Sequence, residues 1–209
     1  DITGENFWVK GLIEKHHAEA LAKGIRIIPS CGFDSIPSDL GTFFSAKAIG
    51  KPIKRIESFH SYKGGASGGT LETMFSMGEL DLGDDLTDPF LLNPNDSYSN
   101  EQKQLSGDRV GIAKKPEIKA WSGPFIMATA NTRVVRRTEA LLALRQESYG
   151  ADFTYQEHAF HKSLLSAVQS LLITGLSVLV LLSPLKRLVK PFLPKPGEGP
   201  SESVQENGW

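Results

Sequence analysis

Between Lys162 and Lys186 the sequence runs for 23 residues without a charge, SLLSAVQSLLITGLSVLVLLSPL. A stretch this apolar has to leave water, either into a protein core or against lipid. As a helix it is long enough to cross a hydrocarbon layer of roughly 30 Å. Three other placements also satisfy it. It could be a buried helix, a re-entrant hairpin turning near Ser183 and Pro184, or an interfacial segment continued by LKRLVKPFL, whose basic residues suit anionic headgroups.

The rest of the chain reads as mixed α and β. Apolar residues at Trp8, Val9, Leu12, Ile13, Ala20 and Leu21 recur near the 3.6-residue period, and Gly24 supplies a stop, so a first helix is expected over residues 6–23. Ile25–Ile28 is short and β-branched and reads as a strand. It leads into SCGFDS, and Pro37 then opens a helical segment containing Leu40, Phe43, Phe44 and Lys47. A strand is expected over residues 55–62, followed by KGGASGGT and a helix through LETMFSM. Residues 81–107 turn acidic and polar, with Pro89 and Pro94, and read as a long surface loop. A strand at 118–121, a helix beyond Pro124 through NTRVVRRTEALLAL and a half-buried strand over 153–160 complete the pattern.

Charge excludes one class of partner. Lys plus Arg number 23 and Asp plus Glu 24, with no basic stripe interleaved with aromatics, so no nucleic-acid surface is implied. The single cysteine, Cys31, has no internal disulfide partner and no CxxC mate for zinc, which points to a reducing compartment. The chain opens at Asp1 without a methionine or a charged-then-apolar leader, and the expectation is a piece of a longer protein.

KGGASGGT, Lys63 to Thr70, is half glycine. It is not a P-loop, because Gly69 rather than lysine precedes Thr70, and GxGxxG cannot be drawn through it. Gly65 to Gly69 does fit GxSxG, with Ser67 as nucleophile and Asp152 with His158 or His161 as nominal partners. The simpler reading is a glycine-lined turn where a ligand or a neighbouring backbone comes close. In SCGFDSIPSD, Asp34 and Ser35 stand at a helix start, where they either cap the helix or meet a ligand. Arg133, Arg136 and Arg137 could hold an anionic group or line an exposed helix face. His158 and His161 could share a helix face, but two ligands do not make a zinc site, and His16 and His17 fall on the first helix with at least one exposed; no metal site is expected.

Taken together, DITGE at 1–5, CGFDSIPSDLG at 31–41, SGGT at 67–70, GPFIMATANTRVVRR at 123–137 and GEGPSE at 197–202 resemble the saccharopine dehydrogenase-like oxidoreductases. These include the trans-acting enoyl reductases of bacterial glycolipid synthesis. The resemblance implies the α/β substrate domain of a Rossmann-containing oxidoreductase whose N-terminal nucleotide-binding part is missing here. It divides the chain into a remnant of the dinucleotide-binding domain (1–36), the substrate domain (37–162), the apolar segment (163–193) and a loop returning to the first domain (194–209). It implies hydride transfer from NAD(P)H, across the cleft between domains, to a lipid or polyketide-like substrate. Thr3, Gly4, Cys31, Gly32, Phe33 and Asp34 would line the nicotinamide side, and Ser67, Gly68, Gly69 and Thr70 the substrate side. No catalytic acid is implied.

The same layout argues against a single membrane crossing, which would put segments of one folded body on opposite sides. Eukaryotic members are associated with lipid droplets and mitochondria, so attachment to a membrane or lipid-droplet surface through Leu164 to Leu193 is expected, inside the cell. Two other classes compete with the oxidoreductase reading: a non-catalytic scaffold at a lipid surface, and the GxSxG hydrolase.

Overall fold

The computed structural model describes residues 1–61, 64, 67–77, 83–94, 98–195 and 197–208. In chain order the elements are α1 (Asn6–Ala22), α2 (Ile36–Ile49), β1 (Arg55–His60), α3 (Gly68–Met77), α4 (Asn100–Ser106), β2 (Ala113–Lys115), β3 (Ala120–Gly123), α5 (Ala128–Ala143), β4 (Thr154–His161), α6 (Leu164–Leu182), α7 (Lys186–Val189) and α8 (Glu202–Asn207). The class is mixed α/β. One four-stranded sheet has the order β1-β4-β3-β2. β3 is antiparallel to both of its neighbours, β2 and β4, with Lys114 opposite Trp121 and Ser122 opposite Phe160.

Local chemistry sets most boundaries. α1 gives out at Lys23, whose N–H still reaches the Glu19 carbonyl, and Gly24 takes the left-handed φ of 64° that turns the chain away. Pro37 occupies the first turn of α2, where its missing N–H costs nothing, and left-handed Gly50 ends that helix. α6 begins with a reciprocal cap in which Ser163 Oγ accepts from the Ser166 N–H and Ser166 Oγ from the Ser163 N–H. The same device, Ser99 with Gln102, starts α4 inside the stretch expected to be all loop. At the 118–121 strand the chain first makes a 3-10 turn (Pro116–Ile118) and a left-handed Lys119, so β3 starts only at Ala120.

Two expectations fail. Ile25–Ile28 is not a strand: all four residues are exposed, and no strand pairs with them among the described residues. β4 is not half-buried: Thr154 through Ala159 are all buried, so its polar positions are enclosed on both sides of the sheet.

The chain forms two compact units. The first comprises Asp1–Ser58, Leu82–Val110 and Phe125–His158. There α2 packs on α5, and Val9, Leu92, Val135, Tyr149 and Tyr155 make the apolar core. The second comprises Phe59–Asp81, Gly111–Pro124 and Ala159–Trp209. There α6 packs on β3 around Ala167, and His161 lies against Gly123 with its Nε2 3.0 Å from where a Cβ would stand. Among the described residues no helix is long and apolar enough to cross a membrane. Nor is α6 a buried helix: Leu165, Leu172, Ile173, Leu176 and Leu179 are all exposed.

Candidate functional site

In the first unit the segments DITG and CGFD meet. The Cys31 N–H donates to the Asp1 carbonyl at 2.7 Å, and the Asp1 amine donates to the Ile28 carbonyl at 3.2 Å, so residues 1–4 run beside residues 28–32. Thr3 Oγ1 donates to the Glu5 carboxylate at 2.8 Å. The Asp34 carboxylate folds back over Gly32, where a Cβ would overlap its Oδ1; at Gly4 a Cβ would stand 3.8 Å from Asp34 Oδ2 and 3.9 Å from Ala130 Cβ, at the start of α5. Thr3, Gly4, Gly32 and Asp34 are therefore brought together. Phe33 projects outward at 92% exposure. The Cys31 thiol is exposed beside the Ile28 and Pro29 carbonyls.

A buried polar network lies beneath this junction. Ser35 Oγ donates to Asn131 Oδ1 at 3.1 Å, and Asn131 Nδ2 donates to Glu157 Oε2 at 3.0 Å, with Ser38 Oγ at 3.4 Å. Tyr155 donates its hydroxyl to Glu157 Oε1 at 2.7 Å. Asn131 and Glu157 are each only 1% exposed. A carboxylate so deep is tolerable only because donors surround it. Burial, followed by the Glu157 charge, raises the Tyr155 pKa, so the phenol keeps the proton it donates. This chain ties α2, α5 and β4 together one residue beyond Asp34. Next to it on β4, His158 lies 3.0 Å from Glu57, which also binds Arg55.

None of Asn131, Tyr155 and Glu157 was singled out from the sequence. The signal was present: Ser35, Ser38 and Thr42 recur at helical spacing on one face of α2, and a face of small hydroxyls that turns inward needs polar partners opposite it.

The α5 arginines do not line an exposed face, and the anionic group that one of them holds is a side chain of the protein itself. Arg133, 1% exposed, makes a forked ion pair with Asp108 and donates Nε–H to the Asp88 carbonyl at 3.1 Å. Arg136 donates to the Pro89 and Tyr155 carbonyls, both at 2.9 Å, and lies over the Phe90 ring. Arg137 donates to the Leu92 carbonyl. Burial first, then repulsion from Arg133, pulls the Arg136 pKa down to about 9, still high enough to keep it charged at neutral pH. Spacing alone gave no warning, because the partners are main-chain oxygens some 45 residues upstream.

Ser67, Gly68, Gly69 and Thr70 belong to the second unit. Ser67 Oγ accepts from the Thr70 N–H at 3.3 Å and shares a hydrogen bond with Thr70 Oγ1 at 3.1 Å, so it caps α3. The Gly68 N–H donates to the Glu198 carbonyl at 2.9 Å, and a Cβ there would overlap the Lys195 carbonyl and come within 2.8 Å of the Pro194 oxygen. Gly68 is glycine because another backbone crosses it. Gly65, the first glycine of GxSxG, lies outside the described residues. His158 and His161 stand on strand β4, where three residues apart means opposite sides rather than one helix face.

Along its whole length the chain is similar to mycobacterial trans-acting enoyl reductases. It is 35% identical, over 232 aligned positions, to a Mycobacterium tuberculosis protein named as a candidate trans-acting enoyl reductase. It is 32% identical to the trans-acting enoyl reductases of Mycobacterium bovis and Mycobacterium leprae. Each comparison covers 100% of this chain and 54% of the relative, so the chain spans about half the length of the curated relatives it matches. No family model and no solved structure matches it.

Proposed function

We propose that this chain is the substrate-side part of a nicotinamide-dependent oxidoreductase that saturates a carbon–carbon double bond in a lipid or polyketide-like substrate. The observation that carries this reading is the end-to-end similarity to proteins named trans-acting enoyl reductases. Because about half of each relative is not represented here, the activity belongs to the longer protein.

The junction of DITG and CGFD fits one side of a nicotinamide ring. Gly4 and Gly32 present no side chains, and the exposed Phe33 ring supplies a flat apolar surface. When bound, the dinucleotide would supply a hydride, which with one proton from solvent or a side chain saturates the double bond and leaves NAD(P)+. The chain's own residues bind and orient: Thr3, Gly4, Cys31, Gly32, Phe33 and Asp34 on the nicotinamide side, and Ser67 to Thr70 toward substrate. The buried Asn131–Glu157 network fixes the start of α2, and with it Asp34.

Substrates of this class partition into lipid, and the second unit offers a way to reach them. The exposed leucines of α6 continue into Leu185, Leu188 and Phe192, also exposed, with Lys186, Arg187 and Lys190 interspersed. Apolar insertion flanked by cations suits an anionic membrane or the coat of a lipid droplet. Flotation with phosphatidylserine-containing liposomes tests this: Leu172→Asp with Leu176→Asp should abolish it, and unchanged flotation would remove the lipid surface from the proposal.

The redox reading is tested by titrating NADPH, through energy transfer from tryptophan, into this chain and into a chain extended by its native flanking sequence. Binding by the extended chain, followed by NADPH oxidation that depends on an added enoyl thioester, is expected. If the extended chain neither binds nor oxidises NADPH, the reading fails and a lipid-surface scaffold takes its place.

A further inference from the structure

The first unit holds a polar cavity of about 450 Å³ that the redox reading does not use. Its size lies within the range of small-ligand sites. One wall is the start of β1 and β4, the other α4 and the residues just after it. Buried contacts fix this frame. The Thr154 N–H donates to the Lys54 carbonyl at 2.9 Å and holds the two strand starts together. Gln156, 3% exposed, donates to the Leu105 and Gly107 carbonyls at 2.8 and 3.1 Å, and Arg133 clamps Asp108, so the end of α4 is held in place. Five charged side chains line the space, Lys54, Arg55 and Arg109 with Glu101 and Asp152. Arg55 pairs with Glu57, which also meets His158 at 3.0 Å and so does not belong to Arg55 alone. Arg109 donates only to the Leu105 carbonyl, at 3.3 Å, and the side chains of Lys54, Glu101 and Asp152 have no polar partner among the described residues.

Charges of both signs therefore face one space without meeting. A lone anion would be drawn by the cations and repelled by Glu101 and Asp152, and a lone cation the reverse. A molecule carrying both signs satisfies both sets. Three cations against two carboxylates leave one positive charge over, so the anionic end has to carry more than one negative charge. A carboxylate does not, whereas a phosphate monoester carries about 1.5–2 near neutral pH. We infer that this cavity binds an amine-bearing phosphate monoester, its phosphate among Lys54, Arg55 and Arg109 and its ammonium toward Glu101 and Asp152. The two guanidiniums suit the phosphate end, because their forked donors match its oxygens. The inference stands apart from the redox reading, since the site lies beyond the C-terminal end of α2, whereas Asp34 and Ser35 stand at its start.

Isothermal titration calorimetry on the 209-residue chain tests this with ethanolamine phosphate as the probe. Its two halves, inorganic phosphate and ethanolamine, and glycerophosphoethanolamine, the diester of a phospholipid headgroup, are the comparisons. Ethanolamine phosphate should bind on the order of tenfold more tightly than each of the three. Lys54→Gln with Arg109→Gln should weaken it by about the same factor, and Asp152→Asn should remove its advantage over inorganic phosphate. All three side chains are exposed, and asparagine tolerates the left-handed φ of 55° at position 152, so circular dichroism should show an unchanged fold. Absence of binding, or binding that survives these substitutions, would overturn the inference. Inorganic phosphate binding as tightly would make this a plain anion site, and the diester binding as tightly a lipid-headgroup site; either result refutes the proposed ligand.

Discussion

Replacing Asn131 tests whether the buried network holds α2 in place. Asn131→Ala removes the acceptor for Ser35 Oγ and the donor to Glu157, two hydrogen bonds of 3.1 and 3.0 Å, one of them to a buried carboxylate. A charged hydrogen bond contributes about 1.5–3 kcal/mol and a neutral one about 1 kcal/mol, so a loss of about 3–4 kcal/mol is expected. With a urea slope of about 2 kcal/mol per M, the unfolding midpoint should fall by about 1.5–2 M. Asn131→Asp sharpens the test. It sets a second carboxyl about 3 Å from Glu157, where both cannot ionise, so one must keep a proton. A carboxyl whose folded pKa is raised loses stability as pH rises through the interval between its unfolded and folded values. The Asp variant should therefore be clearly less stable at about pH 8 than at about pH 5, as followed by circular dichroism in urea. An alanine midpoint within about 0.5 M of the parent, or an aspartate variant indifferent to pH, would refute the idea that this network bears on the fold.

Four other substitutions follow from single sites. Gly68→Ala forces the 194–198 segment away and should cost about 2–4 kcal/mol, combining overpacking with one lost main-chain bond; faster amide exchange at Gly68 and Glu198 is the readout. Burial raises the pKa of Asp39, one of whose oxygens has no partner, so Asp39→Asn should raise Tm at neutral pH and make little difference near pH 4 by calorimetry, the native penalty appearing only as pH rises above the usual carboxylate range. Burial lowers the pKa of His161, so its contribution is whole above its ordinary value of 6.5 and lost as pH falls below it; His161→Phe should flatten that part of the Tm profile. Arg133→Lys cannot reproduce the fork to Asp108 while also reaching the Asp88 carbonyl, and should lower stability by about 2–4 kcal/mol in urea titrations.

The elements that were legible in the sequence are those whose causes are local. α1, α2, α5 and α6 each advertise themselves by period, a proline in the first turn, a glycine after the last, or a serine cap, and the backbone obeys those cues. What was not legible depends on residues far away in sequence. Residues 25–28 have every local mark of a strand and lack only a neighbour. β4 alternates as if half exposed, but its polar positions are enclosed by partners that no window around them contains. The arginines of α5 look like a solvated face, because nothing in RVVRR says that carbonyls at 88, 89 and 92 will reach it. For the candidate site, the motifs DITG and CGFD identified which segments meet, whereas the residues beneath them emerged only from the three-dimensional arrangement.

The way Gly68 is fastened has a consequence for synthesis. The first unit has all its residues once His158 has left the ribosome, but the start of α3 cannot be secured until Lys195 and Glu198 have followed. At ~5–20 residues per second that leaves an interval of a few seconds. During it the leucines of α6 emerge in sequence while the second unit is still incomplete. Whatever apolar surface is nearest at that moment, a chaperone or a bilayer, can meet α6 before the C-terminal segment of its own unit has emerged.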